Sequence, residues 1–181
     1  MMKKFTMAIV LLLAFIVGSG TQVFAGIYLD SGAKWASPSS IKYMNTSTKY
    51  KTLVNDGALN FWNNYTNDIN FVQTNDATIT KKILVYDVNY PSLSWDGQTV
   101  TTANSGYLSK AEIKLNVSNI EEYTTNVDKI RYRVINHEFG HTLGLGDLYT
   151  SSEDDVLMYG YTRATPYYPT NTDITRLNNL Y

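Results

Sequence analysis

No cysteine occurs in the 181 residues of the chain. That absence excludes a disulfide framework, a thiolate zinc site, a lipid-modified N-terminal cysteine and a thiol-based latency switch. Histidine is almost as scarce, with two in the whole chain, so a metal site built from three imidazoles is excluded as well. An excess of positive charge is also missing. The formal net charge is −1, and nothing in that balance suits nucleic acid or an anionic membrane surface. There is no internal repeat, no low-complexity tract and no obvious linker. The apolar run Met7 to Val17 is shorter than the roughly 20 residues a membrane-spanning helix needs.

That run has a different meaning in its context. Lys3 and Lys4 precede it and Val23-Phe24-Ala25 follow it, which is the order of a cleaved secretory signal. Cutting after Ala25 leaves 156 residues, with 13 basic against 16 acidic side chains. This is one ordinary domain, long enough to bury a real core. An exported chain without disulfides fits a secreted bacterial protein better than a small animal one. The expected organisation is a signal peptide at 1–25, an irregular arm at 26–40 and a single folded domain at 41–181.

Within that domain the periodicity alternates between strand and helix. Ile41 to Met44 reads as a short strand. Tyr50, Leu53, Val54, Gly57, Ala58, Phe61, Trp62 and Tyr65 repeat at helical spacing for four turns, with Thr48 as N-cap. Ile69 to Val72 and Ile83 to Val88 read as strands, the second nearly all apolar and therefore central. After a loop at Pro91 to Gly97, Gln98 to Ala103 and Ala111 to Val117 are further strands. In the last, Ile113, Leu115 and Val117 alternate with a wet face of Glu112, Lys114 and Asn116. A second helix starts near Asn126 or Asp128 and carries Ile130, Val134, His137 and His141 on one stripe. A third has Thr170 as cap, Asp173 three residues on, and Ile174, Leu177 and Tyr181 on its buried face. Such an order gives an α/β (α+β) domain with a twisted mixed sheet.

Both histidines fall inside His137-Glu138-Phe139-Gly140-His141. Four residues apart on a helix, they share one face and can reach one small cation. Glu138 sits beside them as a general base for a water, an arrangement suited to zinc-assisted peptide hydrolysis. Gly140 costs about 1 kcal/mol relative to alanine inside a helix and would let another segment come close to the metal. Gly144 offers a left-handed terminus that turns the chain back. A catalytic zinc commonly takes three protein ligands and a water, so the third here must be a carboxylate. The downstream acids are Asp147, Glu153, Asp154, Asp155 and Asp173. Asp147, just beyond the Gly144 turn, can fold back to the metal, whereas Glu153-Asp154-Asp155 reads as a solvated loop.

The string H-E-x-x-H-x-x-G-x-x-D resembles the metzincin zinc signature, with aspartate in place of the third histidine as in the snapalysins. Val156-Leu157-Met158-Tyr159-Gly160-Tyr161 resembles the methionine turn. Asp173-Ile174-x-x-Leu177-x-x-Leu180-Tyr181 is similar to the C-terminal helix of matrixins. The resemblance spans most of residues 40–181. It implies a zincin-like fold with an antiparallel edge strand, one catalytic zinc on His137, His141 and Asp147, and Met158 as an apolar floor that is not a ligand. There are three departures. Asp147 gives a site of lower net charge than three imidazoles would. The histidines of a structural zinc are absent. The position of a tyrosine metal ligand is held by Gly160, with Tyr161 one residue further on.

The resulting expectation is a secreted zinc metalloendopeptidase, monomeric, acting on protein or peptide substrates, with no nucleic-acid or membrane partner after signal cleavage. Substrate would pair with a strand edge, at Gln98 to Ala103 or Ala111 to Val117, with Tyr159 and Tyr161 as pocket walls. Rival readings are a catalytically weak or inactive metal-binding, peptide-binding module, and an iron(II) site, since two histidines and a carboxylate suit that metal too. Glu153, Asp154 and Asp155 would bind Ca2+ only with the right geometry.

Overall fold

In the computed structural model, residues 22–25 and 32–181 are described, Ala164 excepted. The predicted signal segment before Gln22, and residues 26–31 of the predicted arm, lie outside them. The strands are β1 (Gln22–Ala25), β2 (Ile41–Asn45), β3 (Phe71–Gln73), β4 (Lys82–Val88), β5 (Gly97–Asn104) and β6 (Tyr107–Asn116). The helices are α1 (Lys51–Asp56), α2 (Asn63–Tyr65), α3 (Val117–Ile120), α4 (Val127–Thr142) and α5 (Asn171–Leu180). Among the described residues no helix is long and apolar enough to cross a membrane.

The sheet has the order β1-β5-β6-β4-β2-β3. β6, β4, β2 and β3 run parallel, and β5 is antiparallel to β6. β1 is antiparallel to β5, with Gln22 opposite Ala103 and Ala25 opposite Val100. Of the two strands expected to offer an edge, β6 is interior, between β5 and β4, and β5 is covered by β1. β5 is the outer strand of the five that follow β1. The hairpin between them closes through Ser105 and Gly106, both at positive φ (50° and 79°), which a tight two-residue turn requires. β6 thus begins at Tyr107, four residues before the expected strand.

Tyr43, Ile83, Val85, Ala111, Ile113 and Leu115 are fully buried on the sheet. Against them pack Ile130, Val134, Ile135 and Phe139 of α4, all buried. Phe139 meets Tyr43 edge-on at 5.9 Å and Phe71 at 5.1 Å between ring centroids. The long amphipathic stretch after β2 is helical but not uniformly α. Gly57–Trp62 forms a π-helix between α1 and α2. Its wider turn lags the 3.6-residue phase, so Trp62 is fully buried while Tyr65, expected on the same stripe, is exposed. The cap also differs from expectation. The N-cap of α1 is Tyr50, without a side-chain cap bond; the Thr48 hydroxyl and amide donate to the Asp87 carboxylate, and Ser47 Oγ accepts from Tyr50 N at 2.8 Å.

Asn116, expected on the wet face of β6, is completely buried. Its amide donates to the Tyr90 and Trp95 carbonyls and accepts from Tyr90 N. It thereby holds the loop that leads into β5, which is the upper wall of the cleft over α4.

Candidate metal centre

α4 sets His137 and His141 one turn apart with ring centroids 4.6 Å apart. Each Nδ1 faces a backbone carbonyl, Leu157 O at 2.9 Å and Leu145 O at 2.8 Å respectively. A carbonyl only accepts, so each Nδ1 carries a proton, and in the neutral ring Nε2 is the nitrogen left to present a lone pair. The Leu145 carbonyl comes from the turn that ends α4, where Gly144 adopts φ 93°. The Leu157 carbonyl comes from the methionine segment. Met158 is fully buried beneath the helix, and a Cβ on Gly140 would overlap its sulfur.

The chain after Gly144 is stitched to that same segment. Leu148 N donates to Met158 O at 2.8 Å and Gly160 N to Leu148 O at 2.9 Å. This brings Asp147 Oδ1 to 2.9 Å from His137 Nε2 and 3.4 Å from His141 Nε2. Asp147 Oδ1 is buried against the two imidazoles, while Oδ2 accepts from the Tyr149 hydroxyl at 3.1 Å. Two imidazole lone pairs and a carboxylate oxygen facing one another repel unless a cation or a proton lies among them. The donor set, two nitrogens and one oxygen with the cleft on the open side, fits a catalytic zinc site.

When no cation is bound, the cluster favours a proton. Burial works to lower the His141 pKa, but the Asp147 hydrogen bond and the charges of Glu138 and Asp147 outweigh it and raise it to about 9. Burial likewise works against ionised Asp147, yet the two imidazoles hold its carboxyl far below the usual carboxylate range.

Glu138 is buried at 5% exposure. It offers a carboxylate oxygen within 4.8 Å of the ligand atoms of both histidines. Asp154 instead pairs with Arg163 at 2.8 Å, and Glu153 accepts from the Thr150 hydroxyl. Asp173 is buried in the cap of α5.

The cleft over these residues has a volume of about 540 Å³. Ser94 to Thr99 line its upper wall, α4 its floor, and Tyr159 to Thr162 its lower wall. Tyr159 and Tyr161, the expected wall residues, stand with ring centroids 5.5 Å apart, and Tyr149 joins Tyr161 at the same spacing.

A family model described as Matrixin matches residues 29–181. The chain belongs to the matrixin family. This matrixin is accordingly a zinc metalloendopeptidase. Among solved structures it is similar to myroilysin, at 14% identity and a TM-score of 0.52 over 84% of this chain and 97% of that one. It is also similar to high choriolytic enzyme 1, a hatching enzyme zinc-protease from the medaka fish Oryzias latipes. There the values are 15% identity, a TM-score of 0.50, and coverage of 87% and 98%. At such identities the likeness is one of fold, a mixed sheet with helices in a single domain. A sequence search of curated proteins gives no match.

Several residues of the matrixin cleft escaped the sequence reading. Tyr149 lies two residues past Asp147, near enough in sequence to be a candidate partner. Arg133, one turn before His137, had a signal too, being a cation on an otherwise buried stripe. It is 1% exposed and donates to the carbonyls of Val156, Tyr159 and Pro166, tying the lower wall to α4. Asp96, which accepts from the hydroxyls of Tyr123 and Thr162, and Thr99 meet their partners only through the fold. No local pattern announced them.

Proposed function

We propose that this matrixin is a secreted enzyme in which His137, His141 and Asp147 hold one catalytic zinc and Glu138 is the general base for peptide-bond hydrolysis. The observation that carries the ligand set is the convergence of the His137 and His141 Nε2 atoms on the buried Asp147 Oδ1, at 2.9 and 3.4 Å. Zinc bound there would supply Lewis acidity toward a water and the scissile carbonyl. Glu138 accepts a proton from the attacking water and delivers it to the leaving amine nitrogen. Its burial beside the two histidines keeps bulk water away from that transfer. The carbonyls of Leu157 and Leu145 fix the tautomer and orientation of the imidazoles, and the Tyr149 hydroxyl steadies the far oxygen of Asp147.

Substrate lies extended along β5, pairing through its backbone, a mode that tolerates many sequences. Antiparallel pairing of β1 with Val100–Ala103 supports that edge as one able to take an added strand. Export with cleavage after Ala25 would free it. The basic and then apolar start of the chain supports secretion, and Tyr159 and Tyr161 are positioned to select side chains near the site helix.

Glu138→Ala tests the assignment. It is expected to keep one zinc per chain, measured by elemental analysis, and to lose at least about 10²-fold in peptide hydrolysis. Full activity in that variant would overturn the base. A wild-type protein with full zinc and no cleavage of a peptide library, with or without chelator, would favour a peptide-binding module instead.

A further inference from the structure

β5 does more than border the cleft. Gly97 and Thr99 lie two apart on β5 and so face the same side of the sheet, toward α4. Thr99 is 6% exposed, and its Oγ1 lies 2.6 Å from Glu138 Oε2 and 3.0 Å from Glu138 O. At Gly97 a Cβ would stand 2.6 Å from both Glu138 Cγ and Oε1, so the strand backbone itself rests against the carboxylate and leaves no room for a side chain. A glutamate in an open cleft samples several rotamers and loses that freedom at a cost each time it must act. Here one oxygen is fastened while the carboxyl group stays within 4.8 Å of the histidine ligand atoms.

The geometry points to Thr99 as a positioning residue for the base: its hydroxyl anchors Glu138 Oε2, so that Oε1 is presented to the attacking water, and Gly97 provides the space. A hydroxyl both donates and accepts. The Thr99 hydroxyl donates to Oε2 while Oε1 takes the proton from the attacking water, so the carboxyl group keeps its orientation through the transfer. The assignment rests on Glu138 being the base, and the experiment separates the two.

Thr99→Val keeps the branched shape without the hydroxyl, and Thr99→Ser keeps the hydroxyl alone. The valine variant is expected to bind zinc as the wild type does and to change KM less than twofold. Its kcat should fall about 10- to 100-fold, the scale of a misplaced reacting group, and the serine variant should regain most of it. Thr99→Ala supplies the same comparison if the valine variant does not fold. Crystal structures of the zinc-free proteins give a readout independent of turnover, with Glu138 in one rotamer in the wild type and in several in the valine variant. A valine variant within threefold of wild-type kcat, a serine variant as slow as the valine one, or an unmoved Glu138 rotamer each overturns the proposal. If the wild type cleaves no peptide, the reading of Glu138 as base fails, and the rotamer comparison still decides the anchoring.

Discussion

Zinc-free protein should lose stability as the pH rises from about 6.5 to about 9, and the loss should depend on Asp147. Burial alone would lower the His141 pKa, but the Asp147 hydrogen bond and the Glu138 and Asp147 charges raise it from 6.5 to about 9. A group whose folded pKa lies above its unfolded value holds its proton more tightly when folded. Its contribution is complete below about pH 6.5 and is gone above about pH 9. Asp147 is shifted the other way, so its contribution is present above about pH 4 and lost as the pH falls through the acid range. The cluster therefore stabilises the zinc-free chain most between about pH 4 and 6.5. The two shifts describe one interaction and are not additive. The His141 shift corresponds to roughly 3 kcal/mol, and for a domain of this size each kcal/mol moves Tm by about 2–4 °C.

A fall in Tm of about 6–12 °C is thus expected between pH 6 and pH 9.5, followed by circular dichroism on chelator-treated protein. The same measurement on Asp147→Asn removes the contribution of every other titrating group, and the difference between the two proteins is the quantity of interest. An asparagine variant that falls as steeply as the wild type would refute the reasoning. Zinc should invert the dependence. Neutral imidazoles and an ionised carboxylate hold a cation, so the loaded protein should weaken in acid, where protons compete for the same atoms.

Two further substitutions probe the support beneath the site. Gly140→Ala places a Cβ into the Met158 sulfur and 3.1 Å from Trp62 Cζ2. Overpacking of about 1–3 kcal/mol should outweigh the gain in helix propensity of about 1 kcal/mol, giving a lower Tm and weaker zinc retention; a rise in Tm would contradict this. Asp173→Ala removes the acceptor of the Leu157, Met158 and Thr170 amides. It should cost about 3–5 kcal/mol in urea unfolding, because two buried amides and the half-buried Thr170 amide lose their partner; a loss below about 1 kcal/mol would mean that water replaces the carboxylate.

How much of this was legible in the chain depended on the range of each interaction. His137, Glu138 and His141 are fixed relative to one another by a single helix, so their spacing carried their geometry. The Gly144 turn and the Thr170–Asp173 capping box are equally local, and both stand where the pattern put them. The strand alternation gave the mixed sheet, but not its order. Neither β5 nor β6 lies at the edge of the sheet, and the hairpin at Ser105-Gly106 that joins them was understated by the hydrophobic pattern. The π-helical turn at Gly57–Trp62 could not be read either, since a 3.6-residue template has no place for it. Least legible were Thr99, Asp96 and Asn116, ordinary polar residues on or beside strands. Their partners lie 39, 66 and 26 positions away, so their roles exist only after the sheet has closed over α4.

The same distinction explains why a site with so few ligands can be held firmly. At Nδ1 both histidines are aimed by main-chain carbonyls from the segment that follows α4. That segment is itself fixed from three directions. Arg133 binds its carbonyls from the helix side, Leu148 pairs with it across the Met158 and Gly160 backbone, and Asp173 caps α5 while accepting from Leu157 N and Met158 N. The carbonyl that orients His137 belongs to Leu157, the residue whose amide Asp173 holds. A capping interaction that would ordinarily secure only a helix terminus is thereby one residue removed from an imidazole facing the metal position. Disturbing the C-terminal helix should consequently alter zinc affinity before it unfolds the domain. That ordering follows from the hydrogen-bond path through Leu157, and no contact between α5 and the cleft is needed for it.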